Sequence, residues 1–444
     1  MNKMKKISSL VTIPLIVTAL GACGNNNGDN GDSGAASDGG SGKKVKLTMV
    51  ESLSSPQRTD FLKQEISAFE AQNPGITVEL ITPPLESADN KINQMLSTKQ
   101  DMDVLEVRDI TVKQYVNNNY LENLDSYAAQ WPDFATLTKN ALTMAKDIDN
   151  KAYYIPYGIY QRELFYRKDL FDAQGLTPPK TWDELYETGK KLTDPSQNKY
   201  GYAFRGGSGA DQYMSMIVQD YNGSNVNPND SVFNNDGKNI FSTPGAVDAL
   251  KMYQKIYKEI SPPDSANWAF SEQVQGFTSG TVAMLIQDPD TIGTVQSSLQ
   301  DGQWATAPLP TGPDGVSHFP LGSAGWGMTS YSKHKDEAWK LISFLSSPEE
   351  NIKFAKTTGI IPIHTTASDD EFFKSGPYAP YIEMGKEPDK YVGVKPFTNY
   401  KGYATFRQDA VDKGQAFLLG QTSAEDLAKV FSDFWDNEKK NAGE

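Results

Sequence analysis

From Lys46 onward the chain alternates short apolar runs with stretches whose apolar residues recur every three or four positions. Lys46 to Val50 reads as a strand, and Leu62, Ile66 and Phe69 then share one helical face before Pro74-Gly75 stops the helix. Ile76 to Ile81 predicts a second strand, Ile92, Met95 and Leu96 a second helix, and Val104 to Val107 a third strand. Strand and helix in alternation is βαβ arithmetic, which predicts mainly parallel sheets covered by helices on both faces. A second alternating set begins near Leu164. Thr181 with Glu184 has capping-box spacing, Gly201 to Phe204 predicts a strand, Thr243-Pro244 a helix with proline at its first position, and Val282 to Ile286 another strand. The last hundred residues are mostly helical in pattern, with starts at Ser347-Pro348 and at Ser423 with Asp426. The sequence shows no internal repeat.

The N-terminus breaks this alternation. Lys3, Lys5 and Lys6 precede an uncharged apolar run from Ile7 to Leu20 that Pro14 interrupts, a secretory signal too short for a stable membrane span. The run ends in Leu20-Gly21-Ala22-Cys23, which resembles a bacterial lipobox, so residues 1–22 are expected to be a cleaved signal and Cys23 the site of lipidation. The other reading is an ordinary signal with a chance cysteine nearby. Cys23 is the chain's sole cysteine, which favours lipidation and excludes an internal disulfide, a cysteine zinc cluster or a redox pair. Residues 24–42 are almost wholly Gly, Asn, Asp, Ser and Ala, so 23–42 are expected to be a lipidated cysteine and a flexible tether reaching roughly 25 Å.

The full chain has 444 residues and a formal charge of −14, and loss of residues 1–22, with three lysines and no acid, makes it −17. The length suggests two or three domains, and the acid excess argues against nucleic-acid binding, which needs clustered Lys and Arg. Aromatic residues make up 11% of this polar chain, a surplus for which a ligand-stacking cleft is the expected explanation. In open α/β sheets ligands bind beyond the carboxyl ends of strands. The residues there are Glu51 and Ser52, Arg108 and Asp109, Tyr157 to Gln161, Arg205 to Asp211, and Gln287 to Asp290.

Several segments resemble the extracellular solute-binding lipoproteins of carbohydrate ABC transporters, family 1, the group that includes the maltose-binding protein. They are Phe69-Glu70-Ala71-Gln72-Asn73-Pro74-Gly75-Ile76, Asp101-Met102-Asp103-Val104, Ile155-Pro156-Tyr157 through Leu164-Phe165-Tyr166-Arg167-Lys168-Asp169-Leu170-Phe171, and Pro178-Pro179-Lys180-Thr181-Trp182-Asp183-Glu184-Leu185. Further on come Phe277-Thr278-Ser279-Gly280-Thr281-Val282-Ala283-Met284, Ala307-Pro308-Leu309-Pro310, Gly325-Trp326-Gly327, and Ala338-Trp339-Lys340-Leu341 with Phe344-Leu345. Each is weak alone; their order and spacing are specific. The resemblance implies a two-lobed α/β fold of the periplasmic-binding-protein kind (type II), each lobe a mainly parallel sheet flanked by helices and hinged by three crossovers. Lobe 1 is expected at 43–155 plus 290–330 and lobe 2 at 156–289 plus 331–444. The implied function is a sugar-binding protein, not an enzyme. It would take an oligosaccharide and deliver it by hinge closure to ABC permease subunits, acting as a monomer held to the outer face of a membrane by its lipid. A Gram-positive surface is favoured over a periplasm.

Trp326, between two glycines, is either a core ring or a ligand platform, and the resemblance favours ligand contact. Trp268 either meets ligand or packs between lobes, whereas Trp182 and Trp339 belong to cores. Glu51, Asp109 and Asp288 either accept hydrogen bonds from sugar hydroxyls or serve as helix caps at the strand ends or as surface charges, and Ser52 and Arg108 stand beside them. The resemblance places Tyr157, Tyr160 and Gln161 at the first hinge strand and Tyr400, Tyr403 and Arg407 near the last cleft contact. The glycine-rich Arg205 to Asp211 lacks the lysine and hydroxyl of a nucleotide loop and is expected to offer backbone amides to the cleft. His318, His334 and His364 have no ligand spacing and are expected to be satisfied surface residues; no metal and no cofactor is expected. The competing readings are a secreted glycoside hydrolase using two of the acids, and a binder of a non-sugar solute such as a peptide.

Overall fold

The protein is described by a computed structural model covering residues 44–395, 397 and 400–442. The expected signal peptide, Cys23 and tether lie outside these residues. Two sheets organise the chain. The first runs β2 (Ile76–Ile81), β1 (Val45–Val50), β3 (Val104–Arg108), β10 (Gly322–Met328), β4 (Tyr154–Tyr160). The second runs β6 (Tyr200–Tyr202), β7 (Val282–Gln287), β5 (Glu163–Tyr166), β8 (Ala305–Ala307), and a small sheet pairs β9 (Ser317–Pro320) with β11 (Tyr391–Val394).

The two-lobed α/β architecture is as expected, but the pairing is more mixed than the βαβ pattern predicts. β1 runs parallel to β2 and β3, whereas β10 runs antiparallel to both β3 and β4; β7 is parallel to β6, and β5 antiparallel to both its neighbours. The antiparallel strands are those on which the chain passes from one sheet to the other. β4 ends the first sheet at Tyr160 and β5 opens the second at Glu163, so only Gln161 and Arg162 span the gap. The chain returns between β8 and β10, and crosses once more after the helix Pro348–Thr358.

Local chemistry explains the helices. Ser55 caps Pro56–Gln72 by accepting from the Arg58 N–H, proline sits in the first turn, and Leu62, Ile66 and Phe69 form the buried face. Phe69 meets Phe344 of the helix Lys335–Leu345, with ring centroids 5.6 Å apart, so that helix packs on the first sheet's side. Thr181, Thr243, Ser347 and Ser423 all accept from the N–H three residues on, as their spacing predicts. The Glu184 carboxylate reaches back one residue further than a capping box requires, to the Lys180 N–H at 2.7 Å. The C-terminal helices Tyr403–Leu418 and Ala424–Ala442 close the second lobe through Phe406, Phe431, Phe434 and Trp435, whose rings meet one another.

The aromatic surplus goes mainly into such cores, which corrects the expectation of a stacking cleft. Trp182, Trp326 and Trp435 are the largest fully buried side chains, and Trp339 packs on Tyr127 and Trp131. His318 and His364 are also buried instead of lying at the surface. The His318 ring faces the Asp220 carboxylate at 3.2 Å, while His364 is held between the Thr136 hydroxyl and the Ser346 carbonyl, each at 2.7 Å. Burial lowers the His364 pKa, which keeps the ring neutral.

Candidate functional site

A cleft of about 610 Å³ opens at the carboxyl ends of β1, β3, β4 and β7, where the loops of both sheets converge. One side is lined by Leu53 to Ser55, Arg58, Arg108 to Ile110, Tyr160 and the β10 start at Gly322-Ser323; the other carries Gln212, Asp288, Asp290 and Thr294, with Arg162 at the crossing. Four helices begin here. Ser55 caps Pro56–Gln72, Asp109 opens Asp109–Asn117, Gln212 is third in Ala210–Asn222, and Asp290 precedes Thr291–Ser298. Their dipoles place positive ends at the cleft. Leu85 and Ile110, both more than half exposed, offer apolar surface to whatever enters.

Beneath the first wall lies a buried network centred on Glu106, which is 1% exposed. Its carboxylate accepts from the Ser52 hydroxyl at 3.0 Å, the Ser52 N–H at 2.5 Å, the Leu53 N–H at 2.7 Å, Arg58 at 2.5 Å and the Tyr157 hydroxyl. Burial acts to raise the Glu106 pKa. The Arg58 charge and the hydrogen bonds from Tyr157, Leu53 and Ser52 outweigh it and hold the carboxyl below its ordinary range. Arg58 in turn lies over the rings of Tyr157 and Phe354, at 4.6 and 4.9 Å. The network fixes the loop after β1, and with it the cleft floor. Asp109 behaves differently: burial pushes its pKa up to about 7, and Arg108 and backbone N–H groups offset this only in part.

A cleft between two α/β lobes, joined by short crossings and lined by charged and amide groups, is the arrangement of a ligand-binding protein. Residues 55–352 match the model of the bacterial extracellular solute-binding proteins. The chain belongs to that family. A binding protein of Brucella abortus is 26% identical over 341 residues, 76% of this chain and 80% of its own length. The mannitol-binding protein of Pseudomonas aeruginosa is 25% identical over 407 residues, covering 84% and 89%. Among solved structures, the maltose-bound MalE3 of T. maritima superposes with a TM-score of 0.72 at 24% identity, over 88% of this chain and 98% of that one.

Of the expected site residues, this solute-binding protein brings Arg108, Asp109, Tyr160 and Asp288 together in the cleft. Ser52 and Tyr157 lie below it in the Glu106 network. Glu51 is buried and accepts from the Thr59 hydroxyl. Gln161 turns to a second, mostly apolar cavity of about 420 Å³ that Phe319, Tyr378, Tyr381 and Met384 also line. Tyr403 donates to Asp211 at 3.2 Å, and Arg407 lies 3.9 Å from the same carboxylate, beside the cleft instead of in it. Trp268 lies on Gly276, where a Cβ would come within 2.7 Å of the ring, and donates to Asp264 at 3.1 Å.

Trp326 is 1% exposed and does not line the cleft. Its ring packs 5.1 Å from that of Tyr157, and its flanking glycines serve the strands. A Cβ on Gly325 would stand 2.1 Å from the Ile155 carbonyl oxygen, at the register shift between β10 and β4. The glycine loop Arg205 to Asp211 is likewise occupied by its own chain. The Gly206 and Gly207 N–H groups donate to the Ser265 and Trp268 carbonyls, and a Cβ on either would strike the backbone of residues 266–268.

The cleft residues that sequence reasoning passed over are chiefly Arg58, Arg162 and Gln212. Arg162 stands one position beyond the strand-end segment Tyr157 to Gln161 and is 2% exposed. It donates to Gln212 at 2.5 Å, lies over the Tyr213 ring at 4.1 Å, and has Asp288 at 3.9 Å. The strand-end rule extended by one residue would have found it, and Gln212 too, which stands one position beyond Arg205 to Asp211; Arg58 had no such signal. Among the described residues no cluster of three His, Cys, Asp or Glu could hold a metal ion, and no helix is long and apolar enough to cross a membrane.

Proposed function

We propose that this binding protein captures a sugar, most simply a short oligosaccharide, in the cleft of about 610 Å³ and delivers it to the permease subunits of an ABC importer. The observation that carries the reading is the cleft itself, lined from both lobes by groups that pair with hydroxyls and spanned by the two-residue crossing Gln161-Arg162. A ligand touching both walls favours the closed form by the free energy of the contacts it gains there. Relatives of this chain are named for mannitol and maltotriose, which supports a polyhydroxylated ligand. We read the chain as a binder without a catalytic step, as a monomer, and as held outside the cell by a lipid on Cys23 through the 23–42 tether, on a Gram-positive surface. The lipobox-like run and the lysine-led apolar segment support the anchor.

The packing supports lobe boundaries near the crossings. Set beside the expected lobes, 43–155 plus 290–330 and 156–289 plus 331–444, we draw the first as 44–160 and 322–358, the helices 335–345 and 348–358 included because Phe344 and Phe354 meet Phe69 and Phe61; the second holds most of the remainder. The test of function is a thermal-shift panel over mono- and oligosaccharides, in which a ligand at 100 times its Kd stabilises by about 2.7 kcal/mol. Shifts with peptides and with no carbohydrate would overturn the reading. Release of monosaccharide from an oligosaccharide would replace the binder with a hydrolase.

A further inference from the structure

The following rests on the sugar-binding reading. Among the described residues, four buried side-chain polar atoms on cleft-lining residues have no hydrogen-bond partner, and all four are arginine nitrogens: Arg58 Nε, Arg108 Nε, and Arg162 Nε and Nη1. No unpartnered acceptor accompanies them on those residues. Arg58 is ion-paired with Glu106 and Arg108 with Asp89. Arg162 is the least well paired, its one ion pair being the long contact with Asp288. It is buried, its Nη2 is spent on the neutral Gln212 amide, and its nearest carboxylate, Asp288, stands at 3.9 Å, beyond hydrogen-bond reach. A buried cation left this short of acceptors is costly unless something else supplies them.

The surroundings favour a negative group. Helices of 17, 9, 13 and 8 residues start at the cleft, and each N-terminus adds a partial positive charge. Three acids also line the cleft, Asp109, Asp288 and Asp290, and they oppose an anion. They can accept hydroxyl hydrogens from the rest of the ligand. We infer that the ligand is an acidic sugar, a uronate or short uronate-bearing oligosaccharide whose carboxylate is received by Arg162 at the crossing between the lobes while the cleft acids take its hydroxyls.

The test uses the purified chain and matched pairs: glucose with glucuronate, galactose with galacturonate, mannose with mannuronate, and their di- and trisaccharides, read by calorimetry and thermal shift. One acidic member should bind about tenfold or more tightly than its neutral partner, and its affinity should fall as salt rises. Arg162→Met should remove that preference and Arg162→Lys keep part of it, with the ligand-free melting temperature of each variant recorded to separate folding from recognition. Neutral sugars binding as well as or better than their acids would overturn this inference and leave the sugar reading standing. Tighter binding of sugar phosphates or sulfates than of uronates would overturn the carboxylate assignment. No binding of any carbohydrate, acidic or neutral, would remove the sugar reading and this inference with it.

Discussion

Arg58→Met is the perturbation that most directly probes how the cleft floor is held. Arg58 and Glu106 are 6% and 1% exposed, and the variant leaves the carboxylate buried without its counter-charge. Breaking one partner of a buried pair costs about 3–5 kcal/mol. The Ser52 hydroxyl, the Ser52 and Leu53 N–H groups and the Tyr157 hydroxyl still donate to Glu106, which points to the lower end, about 3 kcal/mol. Methionine keeps much of the packing on Tyr157 and Phe354, so little further loss comes from the rings. Adding Glu106→Leu should not restore stability, because those donors would then be buried with no acceptor. The sign of the pH dependence follows from the depressed Glu106 pKa. A carboxyl lowered in the folded state adds stability above its unfolded pKa of about 4.3 and loses it as pH falls through the folded value. Without Arg58 that pKa is released upward, so the variant's deficit is largest near neutral pH and shrinks below about pH 4. Urea unfolding followed by circular dichroism at several pH values measures both quantities. A deficit under about 1 kcal/mol at pH 7, or one that does not change with pH, would refute the account of the network.

Trp326→Ala should cost about 3–5 kcal/mol of stability, as for a large ring removed from a core, and a urea midpoint unchanged from the parent would show that the ring is not packed as described. Asp109→Asn should stabilise progressively as pH rises from about 4 to about 7: the raised carboxyl keeps its proton in the folded state over that window, so the parent loses stability as pH rises while the amide does not. Melting temperatures at pH 4.5, 6 and 8 check this, and a difference constant with pH would rule it out. Glu163→Gln should leave the melting temperature at pH 7.5 unchanged or raise it. Burial holds the Glu163 pKa well above normal, and the Tyr381 hydroxyl offsets this only in part. A fall of several degrees would mean an ionised, paired carboxylate at that position.

Much of the frame was legible because periodicity and caps are local. Leu62, Ile66 and Phe69 identify their helix without reference to anything distant, and Thr243-Pro244 announces where a helix starts. Strand order was not legible to the same degree: β10 pairs between β3 and β4, strands more than 150 residues upstream, and no local pattern reports that its direction opposes theirs. The rule that ligands gather beyond strand ends located Arg108, Asp109, Tyr160 and Asp288 correctly in the cleft. Trp326 shows where such reasoning divides. Glycines on either side of a ring suit an exposed platform and a close strand contact equally, and only the 2.1 Å approach at Gly325 distinguishes them.

The same limit applies to charge. An excess of 56 acids over 42 bases describes the surface of the whole chain, and the strand ends read alone offer mainly acids and aromatics, so the sequence points away from an anion site. Yet a group in the cleft responds to its near neighbours, since exposed charges beyond a Debye length of about 10 Å are largely screened. The neighbours that matter come from helix starts and from a two-residue crossing: Arg58 three residues after a cap, Gln212 three into a helix, Arg162 just past a strand. None of these positions looks special until tertiary packing brings four helix N-termini and three arginines to one place. On the cleft-lining residues the buried polar atoms still without a partner are arginine donors, which the acid excess of the whole chain does not foretell.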